Sequence, residues 1–382
     1  MAKNHKIPKC PPLRFPDFND EWTQTTLGEI AEILNSRRKP ITSSDRVRGD
    51  YPYYGASGII DYVNEYIFDE QLLLIGEDGA KWGKDEKTAF IVNGRCWVNN
   101  HAHVLRFQNY PTYKLIEAFF FSLNLKPFVT GDAPPKLTLE NLKSILIHFP
   151  SLAEQEKIAG FLSLIDERIQ SCSETIKEIK TLKAGLLSLR VYQADKQYVP
   201  LSYFGEMKHG YPFKSTSYDE DGTHRIVTIS NVSGARYADM SKCNYLAELP
   251  HDIQQHQILS RNDILISLTG NVGRVSFCLA DGDLLNQRVG VLSLCDEAYK
   301  EYIYQVLSDW RFEMSMVACG QGAAQLNISK SNVEGYLVPY EQSEYQEIGN
   351  FFSLLDDRIE IEEALLKQYE MQKKYLLRQM FI

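Results

Sequence analysis

Several polar clusters along the 382-residue chain have types and spacing that could do chemistry, and each enzymatic reading fails on its own residues. Gly79-Ala-Lys-Trp-Gly-Lys84 has the outline of a phosphate-cradling loop. Three residues, where a Walker loop has four, separate Gly79 from the Gly83-Lys84 pair, and Asp85 stands where Ser or Thr would bind magnesium. Asp132-Ala-Pro-Pro135 approximates the Asp-Pro-Pro-Tyr loop of amino-group methyltransferases. An alanine interrupts it, the aromatic residue is missing, and no glycine-rich cofactor loop precedes it. His101 and His103 fall on one face of a predicted strand, but sequence places no third metal ligand, and solvated or hydrogen-bonding histidines are the simpler reading. No nucleophile elbow, catalytic carboxylate pair or nuclease signature is present.

What remains is hydrogen-bonding capacity. The first half offers Arg37-Arg-Lys39 with Arg46 and Arg48, then Tyr51, Tyr53 and Tyr54, then Lys81, Trp82 and Lys84, and then Asn99-Asn-His-Ala-His103. The second half offers Asn231 to Arg236, Thr269-Gly-Asn-Val-Gly-Arg274 with Asn271, Asn286-Gln-Arg288 and Gly320-Gln-Gly322. Arg, Lys, Asn and Gln read base edges in the major groove, while Ser, Thr and glycine-turn amides position phosphates. Each cluster alone reads equally as a solvated turn, and Trp82 equally as a core anchor. The signal is their recurrence at matched places.

The elements that carry these clusters are written twice. Ile158 to Ile169 reads IAGFLSLIDERI and Ile348 to Ile359 reads IGNFFSLLDDRI, identical at seven of twelve positions at an offset of 190. Gly131 and Gly320 each precede a proline, Pro150 and Pro339, by 19 residues. Leu27-Gly-Glu-Ile30 matches Phe204-Gly-Glu-Met207, and Leu74 to Gly79 matches Ile266 to Gly270. Matching ends around divergent middles imply one scaffold presenting two different binding surfaces. Short β-branched runs between Gly, Asn and Asp turns, with helices near Tyr113 to Leu123 and Glu297 to Val317, predict an α+β class. The divisions are an N-terminal arm 1–21, recognition domains 22–149 and 198–338, and spacer helices 150–197 and 339–382.

Each spacer carries a heptad seam: Ile158, Leu162, Ile165, Ile169, Cys172, Ile176, Ile179 and Leu186, broken at Lys183, and Phe352, Leu355, Ile359, Leu366, Tyr369 and Leu376, broken at Glu362 and Lys373. Such a helix either packs on its own domain or pairs with its copy. A heptad repeat favours pairing, and the return of the chain favours an antiparallel coiled coil with Lys183 opposite Glu362.

Lys and Arg total 41 against 50 Asp and Glu, a net charge of −9, and all of the excess acid lies beyond residue 197. That excludes a protein that coats nucleic acid with its whole surface. Seven scattered cysteines without a C-x-x-C pair predict reduced thiols. With no apolar run of membrane-spanning length and no leader-like start, the expectation is a cytoplasmic protein without a membrane partner.

Pro12-Leu-Arg-Phe-Pro-Asp-Phe18, Trp22, Leu27-Gly-Glu29, Tyr53-Tyr-Gly-Ala-Ser-Gly58, the Gly-x(5)-Leu segments at 131 and 320, Pro150-x(4)-Gln155-x(2)-Ile158, Asp166-Glu-Arg168 and Asp357-Arg358 together resemble the specificity subunit of type I restriction-modification systems. The resemblance covers nearly the whole chain, in order and twice. It implies a non-catalytic adaptor. Its two target-recognition domains each read one half of an asymmetric split site in double-stranded DNA. Its two helices dock two methyltransferase subunits, and restriction subunits join. No cofactor is expected on this chain; S-adenosylmethionine, ATP and magnesium belong to the partners. The side chains assigned to DNA are Tyr53, Tyr54, Lys81, Trp82, Lys84, Asn99, Asn100 and His101 in the first domain and Asn231, Arg236, Thr269, Asn271, Arg274, Gln287 and Arg288 in the second. One departure stands out: Pro339-Tyr-Glu-Gln342 carries an extra residue and Tyr345 replaces Gln155, which makes the two methyltransferase contacts unequal. A tandem protein- or carbohydrate-binding scaffold is the competing reading.

Overall fold

In the computed structural model, which describes residues 10–131, 134–193, 196–320 and 326–381, the chain divides into two compact units: Met1–Ser173 with Ala364–Ile382, and Glu174–Glu363. In the first unit, chain order runs β1 (Thr23–Thr26), α1 (Leu27–Ile30), β2 (Glu32–Ile33), β3 (Arg48–Gly55), β4 (Gly58–Val63), β5 (Phe68–Asp69), β6 (Leu72–Gly76), β7 (Ala89–Val92), β8 (Arg95–Val98) and β9 (Ala102–Arg106). Then come α2 (Tyr110–Ser122), α3 (Leu139–Ser144), β10 (Leu146–Phe149) and the start of α4 (Leu152–Arg190). Two four-stranded sheets, β2-β9-β6-β7 and β4-β3-β8-β5, accompany a β1-β10 ribbon. The Asn109 side chain accepts the Thr112 amide and Pro111 sits in the first turn, which starts α2 where the sequence dictates. From there α2 buries Leu115, Ile116, Phe119 and Phe120 in a core shared with Leu73, Ile75 and Trp22.

The second unit repeats this plan through β11 (Gln197–Pro200), β12 (Gly205–His209), β13 (His224–Val227), β14 (Asn244–Leu246), β15 (Ile264–Ser267), β16 (Val275–Phe277), β17 (Leu284–Leu285) and β18 (Val289–Leu294). It continues with α5 (Lys300–Leu307), α6 (Trp310–Cys319), α7 (Lys330–Glu334), β19 (Leu337–Tyr340) and the start of α8 (Tyr345–Met380). Its sheets, β12-β18-β15-β16 and β14-β13-β17, with the β11-β19 ribbon, repeat the strand order of the first unit, except that the second sheet lacks a counterpart of β5. In both units the second sheet contains one parallel pair, β3 with β8 and β13 with β17. The duplication is therefore one of topology.

Strand register corrects two of the sequence matches. Leu27 donates to the Ile145 carbonyl and Leu201 to the Tyr336 carbonyl, so Leu27 corresponds to Leu201 rather than to Phe204. Leu27-Gly-Glu29 opens a helix, whereas Gly205-Glu206 belongs to a strand, so that likeness is compositional. Pro339 lies inside β19 opposite Tyr198, a place a proline tolerates in a two-stranded ribbon; Pro150 follows β10, and the two are not equivalent. Asp132 and Ala133, and Gln321 to Gln325, lie outside the described residues.

The two long helices pair in antiparallel fashion within each unit. In the first, Ile158, Leu162 and Ile165 of α4 share a core with Leu376, Leu377 and Met380 of α8, while Ile169, Leu366 and Tyr369 are half-buried. In the second, Ile176 is buried and Ile179, Leu186 and Leu355 are half-buried, and Leu187 rather than Leu186 enters the core beside Phe352. Ile359 is buried there as well. Lys183 meets Asp356 at 2.5 Å and Lys180 meets Glu363 at 2.7 Å, while the expected partner Glu362 bonds Arg358 one turn back in its own helix. Heptads repeat every seven residues, so apolar pattern fixes the seam but leaves a one-heptad slip nearly neutral, and charge decides the register. Among the described residues, no helix is long and apolar enough to cross a membrane.

Candidate nucleic-acid interface

The clearest shared device is the turn that feeds the centre of each main sheet. In the first unit the buried Asn99 donates its amide to the Tyr54 carbonyl at 3.0 Å, and its Oδ1 accepts the His101 amide at 2.8 Å. The His101 carbonyl in turn accepts the Glu77 amide at 2.8 Å. In the second unit Asn286 donates to the Val227 carbonyl and accepts the Arg288 amide, both at 3.1 Å, and the Arg288 carbonyl accepts the Leu268 amide at 3.0 Å. These are asparagine turns of one design. They align Asn99 with Asn286, Asn100 with Gln287 and His101 with Arg288. The first residue of each triplet is used up in holding the turn, and the next two are exposed.

Beside each turn runs the loop between the sheet's last two strands. Gly79 and Gly270 both adopt left-handed backbone, with φ of +66° and +72°, which a side chain would strain. The following residue pairs differ in chemistry. Asp78 bridges to Lys136 in the first unit, and Thr269 bridges to Asn327 in the second. The first site is filled by ion pairs and a hydrogen bond: Glu77 receives Arg38 at 2.5 Å and Lys136 at 2.7 Å, and His101 is hydrogen-bonded to Asp78 at 2.5 Å. Burial alone would raise the Glu77 carboxyl, but hydrogen bonds from Arg38 and Lys136 outweigh it and hold the group below its usual range. The second unit has Leu268 and Asn327 in place of that acid and its lysine. An open groove of about 750 Å³ results, lined by His209, Thr269, Gln287, Arg288, Asn327 and Lys330 among others.

Several assigned residues prove to be internal. Tyr53 is buried, accepts the Ile41 amide at 3.0 Å and lies under the Arg46 guanidinium; Tyr54 is half-buried against Phe90. Trp82 is the core anchor, whereas Lys81 and Lys84 of its loop face solvent. Asn231 accepts from Thr228 and donates to the Asp239 and Lys242 carbonyls, spending all its capacity on its own loop. Arg236 is enclosed by Glu301 and Asp356, each at 3.0 Å, and by the Phe277 ring. Tyr53, Trp82, Asn99, Asn231 and Arg236 are thus not offered to a ligand. Asn271 is exposed, and Arg274 is half-exposed, 3.5 Å from Glu313.

The two histidines part company because the asparagine turn breaks strand alternation before β9. His101 is exposed, while His103 is buried between Asn35 at 2.8 Å and the Leu137 carbonyl at 2.7 Å. No group of three candidate metal ligands occurs among the described residues. The sequence reading missed Glu77 and Lys136 in the first site and His209, Asn327 and Lys330 in the second. They lie apart in sequence from the turns they face, and folding brings them together.

Comparison with known proteins places these findings. The family model described as "Type I restriction modification DNA specificity domain" matches residues 19–181 and again 194–371. A putative type I restriction enzyme specificity subunit of Haemophilus influenzae is 37% identical over 145 residues, 38% of this chain and 37% of the relative. The Escherichia coli EcoprrI specificity subunit is 28% identical over 42% of this chain and 40% of its own, so the match spans about two fifths of the length of these two relatives. The Methanocaldococcus jannaschii MjaVIII specificity subunit is 22% identical over 96% of this chain and 92% of its own. Among solved structures, the S subunit of a type I restriction-modification system from M. genitalium superposes with a TM-score of 0.69 at 16% identity, covering 98% of this chain and 99% of that one. A chain from a study of type I system assembly gives 0.51 at 14% identity, covering 98% and 97%. At those identities the likeness is one of fold.

Proposed function

The chain belongs to the type I restriction modification DNA specificity family, and on that premise we propose that it is the sequence-reading subunit of a restriction-modification complex. Each unit reads one half of a split, asymmetric site in double-stranded DNA. The long helices dock two methyltransferase subunits, and restriction subunits join them. S-adenosylmethionine, ATP and magnesium are bound by those partners, the chain itself is non-catalytic, and the complex works in the cytoplasm.

One observation carries this reading: the same asparagine turn, in the same strand order, presents Asn100-His101 in one unit and Gln287-Arg288 in the other. A constant scaffold with exchanged readers at its tip is what recognition of two different half-sites needs. Thr269 lines the groove with the second pair, and Lys81 and Lys84 in the first unit and Asn271 in the second are exposed donors of the neighbouring loops. A forked contact discriminates one base pair by about 1 to 3 kcal/mol, so a few per unit suffice for a short half-site.

The net charge of −9 divides the labour. An acidic chain neutralises few phosphates, so the partners supply most of the electrostatic grip. Footprinting tests this. The chain co-purified with its methyltransferase should protect two separated blocks on duplex DNA, whereas the isolated chain at physiological salt should give weak, unpatterned protection. A complex that protects no DNA would favour a protein- or carbohydrate-binding scaffold instead, and tight specific binding by the chain alone would contradict the division of labour.

A further inference from the structure

The two turns occupy equivalent places, yet their third positions differ in charge and in partner. In the first unit His101 is engaged by Asp78 at 2.5 Å. At the equivalent places in the second unit stand Arg288 and the uncharged Thr269. Arg288 is exposed, and its backbone is held from both sides, its amide donating to Asn286 and its carbonyl accepting from Leu268. Among the described residues its guanidinium has no bonded acid. The groove's acid is already committed: Glu334 accepts the Met207 amide at 3.0 Å and stands 3.6 Å from Lys330, which also pairs with Glu206. A free guanidinium on a rigid turn at the rim of an open polar groove is a fork of donors awaiting two acceptors.

We infer that Arg288 reads a guanine in the half-site of the second unit, donating to its O6 and N7 edge, with Gln287 contacting the adjoining base pair. Guanine alone presents two neighbouring acceptors in the major groove, so a donor-only fork selects it over the other three bases. The absence of an acid at position 269 is what leaves the fork available, and the ion-paired first unit reads a different edge. This inference rests on the function proposed above.

The test is the methylated motif of cells carrying the complete system, compared among wild type, R288A and R288K. R288A should open one guanine position of one half-site to other bases while every other position stays fixed. On duplexes differing at that base, discrimination by the purified complex should fall roughly tenfold to a hundredfold. R288K, which keeps the charge and loses the fork, should relax the same position less. A motif unchanged in R288A, relaxation at a base other than guanine, or relaxation in both half-sites would overturn the inference. Should R288A abolish methylation, R288K decides: a relaxed guanine sustains the inference, and an unaltered motif or silence overturns it. A wild-type strain showing no two-part motif at all would instead strike the proposed function.

Discussion

His103 is buried in the first unit with both ring nitrogens engaged: Nε2 donates to the Leu137 carbonyl at 2.7 Å, which leaves Nδ1 to accept from Asn35 at 2.8 Å. A proton added at Nδ1 would face a donor. Burial pushes the imidazole below its ordinary value of 6.5, a shift that the Leu137 hydrogen bond and Glu77 at 3.6 Å only partly oppose. The sign follows. As pH falls below 6.5 the unfolded chain takes up a proton that the folded chain refuses, so stability declines until the lowered folded value is passed. Thermal unfolding should therefore show a melting temperature that drops between pH 7 and 5, and H103Q should melt lower at pH 7 but fall less steeply over that interval. Parallel slopes for the two proteins would contradict the assignment. Residue type alone did not reveal this role. The sequence offers His103 as a solvated or hydrogen-bonding histidine without naming its partners, and marks Arg236 as a base reader. The folded chain closes Asn35 and Leu137 around the first, and Glu301 and Asp356 around the second. Long-range partners are what a linear pattern cannot display.

Among the elements, the paired helices carry a repeated ionic hub. Asp166 and Asp356 sit 190 residues apart in matching sequence, as do Lys183 and Lys373. In the first unit Asp166 bonds Lys373 of α8 at 2.5 Å and Lys114 of α2 at 2.6 Å. In the second, Asp356 bonds Lys183 of α4 at 2.5 Å, Arg236 at 3.0 Å and Gln305 of α5 at 2.7 Å. Each carboxylate thus ties the partner helix to a helix of its own recognition domain, α2 in the first unit and α5 in the second. Although burial opposes it, bonding from Lys114 and Lys373 holds the Asp166 carboxyl below its usual range. The heptads were legible in the sequence, and Lys183 and Lys373 were legible as breaks in them. Their function as partners of the repeated aspartate was not, because apolar periodicity is silent about register. Asp356 is buried, and its removal strands Lys183 and leaves Arg236 with Glu301 alone. D356A should cost about 3 to 5 kcal/mol in urea unfolding, while the double variant K183M/D356L should cost less than D356A alone. A loss under about 1 kcal/mol for D356A, near the value of a solvated pair, would refute the hub.

At the scale of the molecule, the duplication was readable at its ends and hidden in its middle. The helices keep a constant offset of 190, so their likeness survives inspection. Around the interface the matched positions drift: Leu27 with Leu201, Asn99 with Asn286, Leu137 with Ile328. Each loop has its own insertions, and only hydrogen-bond register restores the alignment. The same history explains the candidate site. Asn100, His101, Gln287 and Arg288 were recognisable as exposed polar residues of loops, whereas the buried Asn99 and Asn286 that present them looked no different in sequence. If one scaffold carries two independent readers, the readers should be exchangeable one at a time. Residues 198–338 can be replaced by the corresponding domain of another family member and the methylated sites of cells carrying the complete system sequenced. The account predicts a new motif in which one half-site has changed and the other is retained base for base. A change in both half-sites, or in neither, would contradict it.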